Sequence, residues 1–282
     1  MGQINVVGIE YALSDGRVLL NDVSLRVGDG SKVALIGPNG SGKTTLFRMI
    51  AGDLQPDDGQ IIISGGLGVM RQFIGSIRDD STVRDLLVSV SPLRIRKAAE
   101  ALKAAEIAMA SSDSEKEQMA YAQALSDWGD AGGYDQEVLW DIACSNALGK
   151  TYDRVAHREV NSLSGGEQKK LVLQCLLKGP EETLILDEPD NYLDVPAKRW
   201  LEEEIRESKK TILFISHDRE LLAATATKIV ALEQGVNGNT AWIHGEGFET
   251  WHDARKARNE QFAQLVDRKS TRLNSSHGYI SY

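Results

Sequence analysis

Apolar and polar positions alternate over Ile4 to Tyr11 and again over Arg17 to Val27, and the turn residues Ser14-Asp15-Gly16 and Gly28-Asp29-Gly30 close the two runs. A period of two bounded by such clusters predicts antiparallel strands. Lys32 to Ile36 is a short apolar run that meets glycines, and a helical segment is expected from about Thr44 to Ala51. Beyond the turn at Asp57-Asp58-Gly59, Gln60 to Ile63 and Leu67 to Met70 are further strand candidates. After Ser81 the period changes. Ala98, Ala101, Leu102, Ala105, Ala108 and Met109 recur at helical spacing and predict one buried face. A polar stretch, Ser111 to Glu117, follows, and Val138, Leu139, Ile142 and Ala143 predict a second amphipathic helix. A mainly helical pattern, from about 81 to 160, thus interrupts an α/β pattern that resumes at Ser162. Thr183 to Leu186 and Thr211 to Ser216 read as buried strands, with a charged helix from about Pro196 to Ser208 between them. Pro196 suits the first turn of that helix. Lys228 to Glu233 and Thr240 to His244 close the pattern as strands, and Phe248 to Val266 reads as a helix rich in Arg, Lys, Glu and Gln.

The 282 residues are 41% apolar and 26% charged, the composition of an ordinary globular chain. The formal net charge of −9 disfavours a free-standing DNA-coating protein, which is usually basic. No run of 18 apolar residues occurs and the N-terminus carries no secretory pattern, so a cytoplasmic chain without a membrane span is expected. Cys144 and Cys175 form no close metal-type pair and are expected as cytosolic thiols. Residues 267–282 resemble the translation of a sequencing-adapter read-through, so the native chain is expected to be interrupted near Val266 and the tail to be non-native.

Gly37-Pro38-Asn39-Gly40-Ser41-Gly42-Lys43-Thr44 fits the phosphate-cradling pattern G-x-x-x-x-G-K-S/T, between a predicted strand and a predicted helix. Glycines let backbone N–H groups turn inward around a polyphosphate, and the helix N-terminus adds unsatisfied donors and a dipole favourable to anions. Lys43 is expected at the β- and γ-phosphates and the Thr44 hydroxyl on Mg²⁺. The strand Thr183 to Leu186 ends in Asp187-Glu188-Pro189. Two adjacent carboxylates at the end of an apolar strand are costly without a cation, and the C-terminal ends of parallel strands are where ligands sit. Asp187 is expected in the Mg²⁺ shell, and Glu188 is expected to orient or deprotonate an attacking water.

Leu163-Ser164-Gly165-Gly166-Glu167-Gln168 opens a helical run 24 residues before Asp187. Ser164, Gly165 and Gly166 make a second candidate anion site from backbone amides. With these motifs the sequence resembles the ATP-binding-cassette (ABC) ATPases over residues 1 to about 252. The resemblance implies an α/β fold: a P-loop NTPase cassette with a parallel core sheet, an N-terminal antiparallel β subdomain and a helical subdomain at about 81–160. It implies that residues 163–168 serve the γ-phosphate of ATP held by another cassette, supplied by the same chain or by a homodimer. It makes Gln72 a sensor of Mg²⁺ and the γ-phosphate, Asn191-Tyr192-Leu193-Asp194 a loop facing the partner cassette, and His217 a switch contacting the γ-phosphate. Tyr11 is a candidate for stacking the adenine, which completes an ATP-binding set of Tyr11, Gly37, Pro38, Asn39, Gly40, Ser41, Gly42, Lys43, Thr44 and Thr45.

Within the family, four stretches resemble the ABC-F group: Asp187 to Asp194, Ser216 to Leu222, Gly133-Tyr134-Asp135, and Gly245 to Trp251 leading into a charged helix. Asp190 and Tyr192 depart from that group's commonest pattern, which has Thr and His. The resemblance implies twin-cassette proteins acting at the ribosome, with 253–266 as the start of an inter-cassette linker that would touch tRNA. The alternatives are the ATP-binding subunit of an ABC transporter and a nucleotide-gated module with little turnover.

Overall fold

The structure is a computed structural model that describes residues 2–112 and 114–261. The proposed non-native tail and residues 262–266 of the expected linker lie outside the described residues. In chain order the elements are β1 (Gln3–Ala12), β2 (Val18–Val27), β3 (Lys32–Ile36), α1 (Lys43–Ile50), β4 (Asp58–Ser64), β5 (Leu67–Met70), α2 (Val83–Ser89), α3 (Leu93–Ser111), α4 (Glu115–Asp130), α5 (Gly133–Leu148), α6 (Tyr152–Val155), α7 (Gly165–Lys178), β6 (Thr183–Asp187), α8 (Val195–Glu207), β7 (Thr211–Ile215), α9 (Arg219–Thr225), β8 (Lys228–Gly235) and β9 (Gly238–His244).

Nine strands form one sheet in the order β4-β1-β2-β9-β8-β3-β7-β6-β5. The expected antiparallel and parallel portions are both present, and β9 joins them: it is antiparallel to β8 and meets β2 in parallel at Leu20 and Asn239. From β8 to β5 every pairing is parallel. The parallel strands read as unbroken apolar runs because both faces are covered. On β7, Ile212 and Phe214 enter the core beneath the helices, while Leu213 and Ile215 enter the core shared with β1, β2 and α1. On β6, Leu184 and Leu186 face the first core and Ile185 the second.

Helix starts follow local chemistry. Thr82 and Asp85 form a capping box on α2, Asp194 caps α8 by accepting from the Ala197 N–H, and Asp218 caps α9. The helical segment departs from the periodicity reading in three places. α3 buries Ile95, Ala98, Ala99 and Leu102, leaving the predicted Ala101 and Ala108 exposed. α4 starts inside the stretch read as a polar connection, because it buries only Ala124 and Trp128 and so lacks an apolar stripe. α5 turns the predicted Val138 and Ile142 outward and buries Gly133, Gln136, Trp140, Ala143 and Cys144. Trp140 decides that orientation: it packs between Trp128 (6.0 Å between ring centroids) and Tyr152 (5.4 Å), and one indole outweighs two branched aliphatics in buried area.

The chain is helical again over residues 248–261. This helix is fastened to the β8–β9 hairpin. Trp251 is buried against Trp242, with ring centroids 4.6 Å apart; Arg258 lies 4.3 Å from the centre of the Trp242 ring and 2.5 Å from Glu233. Both cysteines are buried free thiols. Among the described residues no helix is long and apolar enough to cross a membrane.

Trp140→Ala is expected to cost about 3–5 kcal/mol of stability, the usual range for emptying a buried aromatic site. Trp140→Phe should cost clearly less, because the indole N–H is buried without a partner. Urea unfolding of the two variants checks the order, and equal losses would contradict it.

Candidate active site

Four neighbouring parallel strands, β3, β7, β6 and β5, each deliver a candidate residue to the same edge of the sheet. β3 runs into the loop 37–42, β7 into His217, β6 into Asp187 and Glu188, and β5 into Gln72. A cleft of about 520 Å³ there is lined by Asn39, Gly40, Gly42, Lys43, Thr44, Thr45, Gln72, Glu188, His217 and Leu13, Arg17, Leu19 and Ile215. Residues far apart in sequence therefore share one wall, as open α/β sheets place their ligands.

The loop's geometry follows from its glycines. Gly42 is the N-cap of α1 in the left-handed region at φ 94°, and a Cβ there would lie 2.8 Å from Leu20 Cδ2. Lys43 Nζ donates to the carbonyl oxygens of Gly37 (2.9 Å) and Pro38 (3.1 Å), so the ammonium folds back across the loop it follows. Burial lowers its pKa, and the neighbouring Glu188 and Asp187 carboxylates oppose that shift. The Ser41 hydroxyl is buried in the loop without a partner.

Asp187, almost fully buried, lies beside the Thr44 hydroxyl and keeps Oδ1 unpartnered. Its pKa is pushed up to about 6, first by burial and then by the Glu188 carboxylate beside it. An orphaned carboxylate oxygen next to a hydroxyl is a donor set that fits Mg²⁺, which takes only one or two protein oxygens when it also holds phosphates. Among the described residues no group of three or more His, Cys, Asp or Glu stands where it could hold a metal ion by itself. Glu188 adopts φ 51°, a left-handed conformation unusual for a residue with a side chain. Its N–H donates to the Ile215 carbonyl at 2.9 Å, and its Oε2 accepts from Asn191 Nδ2 at 2.6 Å. Asn191, expected to face a partner cassette, here holds Glu188 in place.

The 163–168 segment divides into two roles. Ser164 and Glu167 form a reciprocal capping box on α7: Glu167 N–H to Ser164 Oγ (3.2 Å) and Ser164 N–H to Glu167 Oε2 (2.7 Å). Those hydrogen bonds hold the Glu167 carboxyl below its usual range. Ser164, Gly165, Gly166 and Glu167 line a second, open cavity of about 630 Å³ with Tyr192 and Trp200. Leu163 and Gln168, by contrast, point inward. Leu163 is in the core, and the Gln168 amide donates to the carbonyls of Val160, Leu163 and Ile77 at 3.1–3.3 Å. Both are thereby turned away from the cavity that Ser164, Gly165, Gly166 and Glu167 line. Gly165 and Gly166 are also demanded by packing: Cβ atoms there would lie 2.6 Å from the Gly75 carbonyl and 2.8 Å from the Tyr192 carbonyl. Tyr11 does not line the cleft; it packs against the core shared by β1, β2 and α1, and Leu13, Arg17 and Leu19 form that wall instead.

Lys169 was not singled out by the sequence. It is fully buried on α7, its Nζ donates to the Glu188 carbonyl, and it lies 5.7 Å from the centre of the Tyr192 ring. Burial lowers its pKa to about 8, against the pull of Asp190, Glu188 and Asp187. A lysine inside an amphipathic helix next to a glycine pair gives no sequence signal of its own. The unusual Asp190 was the available hint.

A family model described as ABC transporter matches residues 20–191. The chain belongs to this family of ABC ATPases. It is 60% identical over 265 residues to a Mycobacteroides abscessus protein named "Antibiotic resistance protein", covering 94% of this chain and 48% of that one. It is 31% identical over 227 residues to the "Energy-dependent translational throttle protein EttA" of Mycobacterium tuberculosis, covering 78% of this chain and 38% of that one. The chain thus spans less than half the length of these relatives. A solved ATP-binding subunit of an ABC transporter superposes with a TM-score of 0.60 at 21% identity, covering 93% of this chain and 99% of that one, a likeness of fold.

Asp187→Asn is expected to raise the thermal midpoint of the nucleotide-free chain at neutral pH. A carboxyl whose folded pKa of about 6 exceeds its ordinary 3.8 destabilises the fold as pH rises through that window. The gain should shrink as pH falls through 6 toward 3.8 in a calorimetric series, and a pH-independent gain would contradict the assignment.

Proposed function

We propose that this chain is an ATP-hydrolysing cassette of ABC-F type that works against a second cassette in the cytoplasm and acts on translation. The observation that carries the catalytic part is that residues of the 37–44 loop, Gln72, Glu188 and His217 line one cleft, with Asp187 in an adjoining pocket that shares Thr44 and Gln72 with it. The ABC-F members among its relatives, EttA included, support the translational part. So do the ABC-F-like stretches 187–194 and 216–222.

In this reading the loop amides and Lys43 hold the β- and γ-phosphates, and Tyr11 remains the candidate for stacking the adenine. Mg²⁺, when bound at Thr44 and Asp187, neutralises charge on the phosphate oxygens. A water oxygen attacks the γ-phosphorus in line with the departing β–γ bridging oxygen. Glu188 accepts the water's proton, and ADP and inorganic phosphate leave. Gln72 and His217, exposed on the cleft's lip, orient the γ-phosphate and the water. Ser164, Gly165 and Gly166 serve the nucleotide of the facing cassette, so hydrolysis requires two cassettes to close.

Glu188→Gln should bind ATP with near-native affinity and lose turnover by about a hundredfold or more, the scale of a general base, because an amide cannot accept the proton. Lys43→Ala should weaken ATP binding by at least about tenfold through loss of the loop's cation. Calorimetry and phosphate release test both; unchanged turnover in the first or unchanged affinity in the second contradicts the assignment. Turnover per chain should rise with protein concentration as homodimers form, and a flat rate contradicts the two-cassette requirement. The translational role is tested by co-sedimentation of the complete gene product carrying Glu188→Gln with ribosomes in ATP. Retention on ribosomes is expected; absence from them contradicts it.

A further inference from the structure

We propose that Lys169 is a positioning residue for Glu188: from within α7 it grips the main-chain carbonyl of the residue that activates water. The inference rests on the catalytic reading given above. Lys169 is fully buried, and its ammonium reaches the Glu188 carbonyl across the gap between α7 and the end of β6. That grip falls on an unusual stretch of backbone. Glu188 sits at φ 51° and Tyr192 at φ 66°, and such conformations in residues with side chains persist only where the surroundings over-determine them. The grip is one of three on Glu188, beside the N–H bond to Ile215 and the side-chain bond to Asn191. Lys169 alone comes from the helix that carries residues 164–167.

The surroundings explain why a cation is kept there. Asp190 is buried with Oδ1 unpartnered, and Asp187 and Glu188 add two further carboxylates nearby. Tyr192 closes the other side through its ring. A Cβ on Gly75 would lie 3.2 Å from Lys169 Cγ, so the lysine stem passes close to the segment that follows Gln72. Lys169 thus has the Tyr192 ring at 5.7 Å and the Asp190 carboxylate in its surroundings, and Asp190 and Tyr192 are the two positions at which the sequence leaves the ABC-F pattern. Lys169 lines neither the nucleotide cleft nor the cavity beside Gly165, so it acts through Glu188 and not on a ligand.

The full chain with Lys169→Met, Lys169→Gln and the double change Lys169→Met with Asp190→Asn tests the assignment. Lys169→Met should lower kcat by at least about tenfold and leave ATP affinity by calorimetry within about twofold. Lys169→Gln, which keeps an N–H donor on a shorter stem, should retain kcat within about threefold. The double variant also removes the Asp190 carboxylate that Lys169→Met leaves without its cation, so it should recover thermal stability while kcat stays low. That separation of stability from kcat is what a purely structural lysine would not give. A double variant that folds like wild type and turns over at the wild-type kcat overturns the inference. A wild-type chain whose hydrolysis is absent or insensitive to Glu188→Gln overturns the catalytic reading itself, and this inference with it.

Discussion

Two lysine ammonium groups and the carboxylates of Asp187 and Asp190 are withdrawn from water along one edge of the sheet, with Glu188 half-buried beside them, and the site depends on how these charges are balanced. Lys43 turns onto the carbonyls of Gly37 and Pro38, and Lys169 onto the carbonyl of Glu188. Asp187 and Asp190 each keep a buried oxygen without a partner. Charges in such a setting are expensive unless something completes their coordination. A bare polyphosphate would be met by Lys43 and the loop amides but repelled by the acids. A polyphosphate accompanied by a divalent cation satisfies both sets at once. That is the physical reason the arrangement suits a metal–nucleotide pair.

The sheet makes the arrangement possible. Adjacent parallel strands β3, β7, β6 and β5 all end on the same side, and their apolar alternation between two cores fixes each register. A one-residue slip in β6 would turn Ile185 into the wrong core and swing Asp187 away from Thr44. Beyond the cleft, the lip is linked to the last described helix. Asp218, the residue after His217, caps α9 and pairs with Lys198 at 2.7 Å. The Arg219 guanidinium then meets His252 Nε2 at 2.9 Å, and Trp251 seats the same helix on Trp242. The His217 loop and that helix are therefore joined by a short chain of side-chain contacts.

The parallel strands and the phosphate loop were legible in the sequence because each carries a strong local signal: an unbroken apolar run, or glycines where the backbone must turn. Lys32 to Ile36 and Leu67 to Met70 match the strands residue for residue. The helical segment was less legible. Its packing rests on Trp128, Trp140 and Tyr152, single large rings that periodicity counts no more heavily than a valine. Within the site, adjacency across the fold was hidden. Nothing local announces that Gln168 clamps Ile77, that Asn191 holds Glu188, or that Lys169 reaches β6. Tyr11 carries an ambiguous signal, since an aromatic on a strand serves packing as readily as stacking.

The central claim is that one cleft, walled by the 37–44 loop and the end of β6, clamps the triphosphate of a metal–nucleotide pair. A crystal structure of the Glu188→Gln chain grown with ATP and Mg²⁺ tests it most directly. The account predicts the β- and γ-phosphates inside the loop against Lys43, with the metal on Thr44 and Asp187. A triphosphate bound away from that loop, or a metal that leaves Asp187 untouched, would contradict it.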